Sequence, residues 1–159
     1  MEKITIANLP AFVRQVLGRL QPKNGTATVI ALSGELGAGK TTFVKSLARE
    51  LGVTETVQSP TYVLMKKYEI PQGQGDTLTL TPSLSKASPF KKLIHIDLYR
   101  LEMPQEVAAL KLEQYVGDPA VMMLIEWPER ASSLLPAPDL TLTFSSKDVG
   151  EGERYIEVV

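Results

Sequence analysis

The stretch GELGAGKTTF, residues 34–43, decides the fold of this 159-residue chain. It contains three glycines and continues directly into Lys40, Thr41 and Thr42. From Gly34 to Thr41 it completes the Gly-x4-Gly-Lys-Thr pattern of a phosphate-binding P-loop. Such a loop points successive backbone N–H groups at a phosphate, which requires unusual dihedral angles and leaves no room for Cβ atoms. The alternative is a glycine-rich turn with an incidental lysine.

The segments on either side of this stretch favour the P-loop. TATVIALSG (26–34) is an apolar, β-branched run, which predicts a strand buried on both faces. KTTFVKSLAREL (40–51) has apolar residues at helical spacing, and Gly52 is placed to end that helix. The glycines therefore lie between a strand and a helix, as the motif requires.

This arrangement predicts a site for a nucleoside triphosphate with Mg²⁺. The helix would direct its N-terminus at the anion. Lys40 would reach the β- and γ-phosphates, the Thr41 hydroxyl would ligate Mg²⁺, and Thr42 would touch the α-phosphate. The residues predicted to bind the nucleotide are Gly37, Ala38, Gly39, Lys40, Thr41 and Thr42.

Two acidic residues end apolar runs further along the chain. Asp97 ends LIHID (93–97) and Glu126 ends VMMLIE (121–126). A P-loop enzyme needs a carboxylate for its metal, usually at the end of a neighbouring strand. Because ligands of open α/β sheets bind at the carboxyl ends of the strands, we expect both acids to face the phosphates. The alternative for each is a strand-end acid that is only solvated or capping.

The segment VQSPTY (57–62) follows the P-loop helix. Pro60 stiffens a turn in which Ser59 and Thr61 offer hydroxyl groups. Switch segments that sense the γ-phosphate often lie at this position, so both residues are candidates for a switch-like role, although the pattern alone favours an ordinary turn.

Four further side chains have more than one interpretation. His95, the only histidine, lies two residues before Asp97 and is expected to be a hydrogen-bonded structural residue. Arg100 and Arg130 would neutralise phosphate charge or form salt bridges. Trp127, the only tryptophan, would pack in the core or serve in surface recognition.

The remaining pattern mixes buried strands with helices. Strands are predicted at 3–6, 61–70, 91–99 and 120–127, helices at 8–20, 104–116 and 128–135, and a closing hairpin from 139 to 159. We therefore predict one α/β domain over 1–159, a P-loop NTPase-like fold whose central, mostly parallel sheet is flanked by helices with antiparallel additions. Residues 71–90, rich in Pro, Gly, Ser and Thr, are predicted to be an exposed loop insertion.

Composition excludes several classes of protein. The formal net charge of −1 gives no general attraction to nucleic acid or an anionic membrane. The absence of cysteine excludes disulfides, thiol catalysis and cysteine metal sites. No run approaches the roughly 18 apolar residues of a membrane span, and the N-terminus lacks a signal-peptide pattern. We expect a cytoplasmic protein without a membrane partner.

Taken together, four segments resemble the TsaE (YjeE) family of small bacterial ATPases. They are GELGAGKTTF (34–43), VQSPTY (57–62), HIDLYRL (95–101) and LIEWPER (124–130), in the family's order. The resemblance implies a part in forming threonylcarbamoyladenosine in tRNA. It implies that the protein binds the complex of TsaB with TsaD and hydrolyses ATP, with Mg²⁺, to permit repeated turnover, without transferring the threonylcarbamoyl group itself. Direct tRNA binding is not expected.

The resemblance also implies roles for individual residues. Glu126 matches the family's metal-site glutamate, and Asp97 matches its other essential acid. The implied catalytic set is Lys40, Asp97 and Glu126, and the implied metal ligands are Thr41, Glu126 and Asp97. Ser59 and Thr61 match the switch-like loop. Whether Asp97 acts as a base, positions water or ligates the metal is left open.

Two other functions fit a P-loop. A nucleotide-gated binding module would bind ATP without significant hydrolysis. A small-molecule kinase usually brings an arginine-bearing lid over the transferred phosphate, and the 71–90 segment contains no arginine. A GTPase is disfavoured because the chain has no Asn-Lys-x-Asp motif to read guanine.

Overall fold

A computed structural model describes residues 2–72 and 88–159 and confirms the predicted α/β class. The strands in these ranges are β1 Glu2–Thr5, β2 Thr28–Gly34, β3 Met65–Glu69, β4 Lys92–Asp97, β5 Val121–Glu126, β6 Leu140–Ser145 and β7 Glu153–Val158. The α-helices are α1 Leu9–Arg19, α2 Lys40–Glu50 and α3 Glu113–Val116. Shorter 3₁₀ segments span Pro104–Leu110, Pro128–Arg130 and Ser132–Leu134.

The strands form a single sheet in the order β1-β7-β6-β2-β5-β4-β3. The four central strands, β6, β2, β5 and β4, are parallel, whereas β7 and β1 at one edge and β3 at the other are antiparallel additions. The predicted hairpin at the C-terminal end is present as β6 and β7, and β1 pairs with its second strand. This topology confirms the mostly parallel sheet with antiparallel additions.

Both faces of the sheet are covered, as expected for parallel strands. On one face α1 and α2 pack over a core that includes Leu93 of β4 and Leu124 of β5. On the other face the 3₁₀ segments and α3 cover a second core that includes Ile94 and Ile125. Because side chains alternate along a strand, the ends of β4 and β5 direct residues 95, 97 and 126 toward the face of the P-loop helix.

The predicted helix over 104–116 is wrong as a single element. The chain forms the 3₁₀ segment Pro104–Leu110, reverses at Lys111 with φ 49°, and then forms α3. Val107 and Leu112 are both buried in the second core. Residues five apart on a continuous α-helix would point about 140° apart, and the break at Lys111 lets both face the same core. The predicted helix at 128–135 is likewise two short 3₁₀ turns.

Residues 73–87, which make up most of the predicted loop insertion at 71–90, lie outside the described residues. That one domain extends over residues 1–159 stays a prediction. Beside them, the Gln72 amide donates to the carbonyls of Ile70 and Phe90, and Phe90 is buried. Of the helices in the described ranges, none has the length and apolar character needed to cross a membrane.

Candidate functional site

The P-loop runs from the end of β2 to the start of α2, as the sequence predicts. Its glycines take dihedral angles that other residues adopt rarely: φ is 131° at Gly34, 77° at Gly37 and 104° at Gly39. At Gly34 there is a second reason, since a Cβ there would collide with the backbone carbonyl of Phe144 on β6. The loop therefore depends on glycine for its conformation and for the close approach of its neighbour.

Lys40 begins α2 and is only 4% exposed. Its Nζ atom donates to the carbonyls of Gly34 at 2.7 Å and Glu35 at 2.9 Å. The ammonium also lies 3.9 Å from the centroid of the Trp127 ring, a cation–π contact. Burial lowers the pKa of Lys40, and the negative charge of Glu126 opposes this effect. The cation is thus partly desolvated and faces the inside of the loop.

Thr41 and Glu126 meet at the ends of α2 and β5. The Thr41 hydroxyl donates to the Glu126 carboxylate, at 2.9 Å to Oε1 and 3.1 Å to Oε2. Glu126 is 2% exposed, and its Oε1 lies 2.8 Å from Nε2 of His95. His95 thus makes one of the hydrogen bonds expected of a structural histidine, but its partner is the candidate metal ligand and its Nδ1 is buried without a partner among the described residues.

Asp97 accepts hydrogen bonds from the loop that contains Ser59 and Thr61, the residues predicted to be switch-like. Its Oδ2 accepts the hydroxyl groups of Ser59 at 2.7 Å and Thr61 at 2.5 Å. Its Oδ1 accepts the backbone N–H of Tyr99 at 3.0 Å. In the β4–β5 register Asp97 lies directly opposite Glu126, so the two acids stand side by side at the carboxyl edge of the sheet.

These side chains surround one cavity of about 220 Å³. The predicted residues that line it are Gly37, Gly39, Lys40, Thr41, Thr42, Ser59, Thr61, Asp97 and Glu126. Ala38 is fully buried and lines an adjoining cavity of about 110 Å³ instead. The second cavity is mostly apolar, with Leu9, Phe144 and Ile156 in its wall. The P-loop thus lines both cavities: the larger one with its charged and hydroxyl side chains, called the polar chamber, and the smaller, mostly apolar one, called the apolar chamber.

The structure adds to the sequence analysis at two residues of this site: Arg154 was not considered, and Trp127 was predicted to pack in the core or to serve in surface recognition. Trp127 has φ 59°, which is unusual for a bulky residue, and this conformation brings its ring against Lys40 and Tyr99. Arg154 of β7 donates to the Gly37 carbonyl at 3.3 Å. Trp127 had a signal, its position directly after Glu126. Arg154 had none, since its approach depends on how the hairpin pairs.

The two arginines left open by the sequence contact aromatic faces. The Arg100 guanidinium lies 4.4 Å from the centroid of Tyr62, and that of Arg130 lies 5.7 Å from the centroid of Tyr99. Arg130 also donates to the Leu101 carbonyl at 3.4 Å. Both guanidinium groups are therefore held by aromatic contacts, and neither arginine lines the cavity that the predicted residues surround.

The oxygen atoms of the site suit Mg²⁺ bound together with phosphates. Within the described ranges, no group of three or more His, Asp or Glu residues could hold a metal ion unaided. Mg²⁺ prefers oxygen ligands and commonly takes only one or two from the protein, with substrate phosphates and water completing its shell. The adjacent Thr41 hydroxyl and Glu126 carboxylate match that pattern.

Known proteins resemble this chain both in sequence and in structure. The family model described as threonylcarbamoyl adenosine biosynthesis protein TsaE matches residues 7–156. The chain is 36% identical over 162 aligned residues to a Nostoc protein, covering 99% of this chain and 85% of the relative. It is 35% identical to one from Treponema pallidum, covering 90% and 87%. Both are called tRNA threonylcarbamoyladenosine biosynthesis protein TsaE. A crystal structure of YdiB from Bacillus subtilis superposes with a TM-score of 0.62 at 27% identity, covering 98% of this chain and 80% of that one.

Proposed function

The chain belongs to the TsaE family, which acts in tRNA threonylcarbamoyladenosine biosynthesis, and we propose that it serves this pathway as a Mg²⁺-dependent ATPase. One observation carries the proposal. Lys40 and Thr41 of the P-loop face a single cavity together with Asp97 and Glu126, the acids at the ends of two neighbouring strands. This combination of a phosphate cradle and carboxylates at its rim is what phosphoryl transfer to water requires.

ATP would occupy both chambers. The P-loop N–H groups and Lys40 would bind the phosphates in the polar chamber, where the buried ammonium offsets their charge. The apolar chamber beyond Gly37 and Gly39 would take the base end of the nucleotide. Leu9 and Ile156 would supply apolar contact there, and the Arg154 guanidinium a polar one.

Thr41 and Glu126 would hold Mg²⁺. Their oxygen atoms lie close enough to contact the same ion, and both are fixed by regular elements of the sheet and helix. When bound, the ion neutralises charge on the phosphate oxygens. Asp97, beside Glu126, would accept a proton from the attacking water or orient it.

The hydrogen bonds of Asp97 favour a second candidate, a nucleotide-gated binding module. One of its oxygens already accepts both hydroxyls of the switch-like loop, Ser59 and Thr61. An aspartate with these two hydrogen bonds is as well placed to hold the loop as to activate a water molecule. In this alternative, nucleotide binding would reset the loop and change its affinity for a partner, with little hydrolysis.

The partner we propose is the complex of TsaB with TsaD, which the resemblance to the TsaE family implies. Tyr62 and Val63, next to Thr61, are 82% and 60% exposed. Large apolar side chains beside a loop that responds to the phosphates would let a bound partner sense the nucleotide. The formal charge of −1 supports contact with tRNA through that complex rather than directly.

The deciding experiment is ATP hydrolysis with Mg²⁺, measured alone and with purified TsaB and TsaD. For the ATPase we expect turnover that the partners stimulate and that Glu126→Ala abolishes. Asp97→Asn should retain nucleotide binding and lose about 10²–10⁴-fold in rate. Asp118→Asn, at the opposite end of β5, is the matched control and should hydrolyse ATP normally.

Firm nucleotide binding without turnover in either condition would instead support the gated module. If the wild-type protein binds no ATP, both proposals are wrong.

A further inference from the structure

His95 is a polar side chain with no exposed surface, and it has no role in the ATP binding and hydrolysis proposed for the site. It lies on β4, opposite Leu124 of β5, on the sheet face covered by α2. Burying an imidazole costs free energy unless its polar atoms are used. A histidine buried beneath the P-loop helix is therefore expected to use its polar atoms in a hydrogen bond that serves stability or function.

The contact of His95 with Glu126 favours one tautomer of the imidazole. Nε2 lies 2.8 Å from Oε1 of Glu126, and Nδ1 is buried without a partner among the described residues. With Glu126 as a carboxylate, which can only accept, the tautomer assigned from this contact carries its proton on Nε2. Nδ1 is then a bare acceptor, whereas a proton there would leave a buried N–H donor unpaired. The imidazole is thus a donor aimed at one oxygen of one carboxylate.

The orientation of Glu126 depends on this contact. Its other side-chain hydrogen bond within the described ranges comes from Thr41. Thr41 and Glu126 are the two proposed Mg²⁺ ligands, so both would turn toward the ion when it binds. His95 is fully buried and does not line the polar chamber, so it can hold the carboxylate whether or not the ion is bound.

We propose that His95 is a positioning residue that holds Glu126 in the orientation needed to bind Mg²⁺ with the nucleotide. The inference rests on the proposed function, because it assumes that Glu126 is a metal ligand. Groups that orient metal ligands through a hydrogen bond typically contribute 10- to 100-fold in metal affinity.

The test is nucleotide binding by calorimetry in EDTA and across a Mg²⁺ titration, with unfolding curves for each variant. His95→Leu removes the donor, His95→Gln retains an N–H, and Leu93→Val is the control, a buried change on the same strand and face. We expect His95→Leu to bind nucleotide with the wild-type affinity in EDTA. Its Mg²⁺ requirement, the Mg²⁺ concentration that gives half of the change in nucleotide affinity, should be about 10-fold higher than that of the wild type. His95→Gln should recover most of this loss, and Leu93→Val should not change the Mg²⁺ requirement.

A double variant tests whether His95 acts through Glu126. In a Glu126→Gln background, His95→Leu should change the Mg²⁺ requirement less than about twofold, since coupled residues are not additive. If His95→Leu does not fold, His95→Asn replaces it, because asparagine is one bond too short to reach Glu126.

An unchanged Mg²⁺ requirement in His95→Leu or His95→Asn, or equal losses in the Gln and Leu variants, would overturn the inference alone. Absence of nucleotide binding in the wild-type protein would overturn the proposed function as well.

Discussion

At the scale of single residues, Lys40 is oriented by contacts within the protein. Its ammonium donates to the carbonyls of Gly34 and Glu35 and lies over Trp127. These contacts keep a partly desolvated cation pointing into the loop, where the pKa of the ammonium is lowered by burial. A nucleotide would meet a positive charge that needs little reorganisation before it binds.

Replacing Lys40 with Ala should therefore weaken ATP binding. The lost hydrogen bonds to charged oxygens are worth about 1.5–3 kcal/mol, or roughly 10- to 100-fold in Kd. Calorimetric titration with ATP and Mg²⁺ measures the change. Lys45→Ala, on the same helix with an exposed side chain, is the control and should bind as the wild type does. Equal affinity for wild type and Lys40→Ala would contradict a phosphate role for this residue.

The positions of the two acids were predictable from the sequence, whereas the contacts of Trp127 and Arg154 were not. Asp97 and Glu126 were predictable because each ends an apolar run, and a parallel sheet brings the ends of adjacent strands together. The contact of Trp127 with Lys40 was not, since it requires φ 59° at a bulky residue. Propensity disfavours that conformation, and only the surrounding structure enforces it.

At the scale of elements, the junction of β2 with α2 was the most predictable part of the fold. A buried parallel strand, a glycine loop and an amphipathic helix each have a strong local pattern. The segment 104–116 has apolar residues that suit a helix, yet the structure breaks it at Lys111 to bury Val107 and Leu112 together. Such a choice depends on the surface below the segment, which no local pattern encodes.

Two glycine substitutions should separate the strain in the loop from ordinary helix propensity. Gly34→Ala meets the Phe144 carbonyl at φ 131° and should destabilise the protein by about 1–3 kcal/mol or more. Gly18→Ala near the end of α1 has free space and should stabilise by about 0.5 kcal/mol. Urea unfolding measures both. A neutral Gly34→Ala would mean that β2 and β6 can separate at this point without cost.

At the scale of the whole molecule, the P-loop is tied to the C-terminal hairpin. The Glu35 carboxylate accepts from the backbone N–H of Ser146 at 2.7 Å and from its hydroxyl at 2.9 Å. Arg154 of the same hairpin donates to Gly37. Residues more than a hundred positions away thus contact the loop at Glu35 and Gly37, so its geometry depends on the edge of the sheet as well as its centre.

The Glu35 contact should make stability depend on pH. The hydrogen bond from the Ser146 N–H lowers the pKa of Glu35 from 4.5 to about 2, so the unfolded chain binds a proton more readily than the folded one. The stabilisation is present above about pH 4.5 and is lost as the pH falls toward 2. Because this side chain is partly exposed and its charge is screened, we expect about 1 kcal/mol rather than the full value of the shift.

Glu35→Gln isolates this effect from the titration of other carboxylates. The free energies of unfolding of the variant and the wild type should differ most near pH 6 and converge near pH 2.5, as measured by urea unfolding across that range. The control is Glu157→Gln, which removes a carboxyl on β7 away from the loop. The difference in free energy of unfolding between this variant and the wild type should not decrease in the same way from pH 6 to 2.5. A gap between wild type and Glu35→Gln that stays constant from pH 6 to 2.5 would mean that the carboxylate charge does not hold the loop to the hairpin.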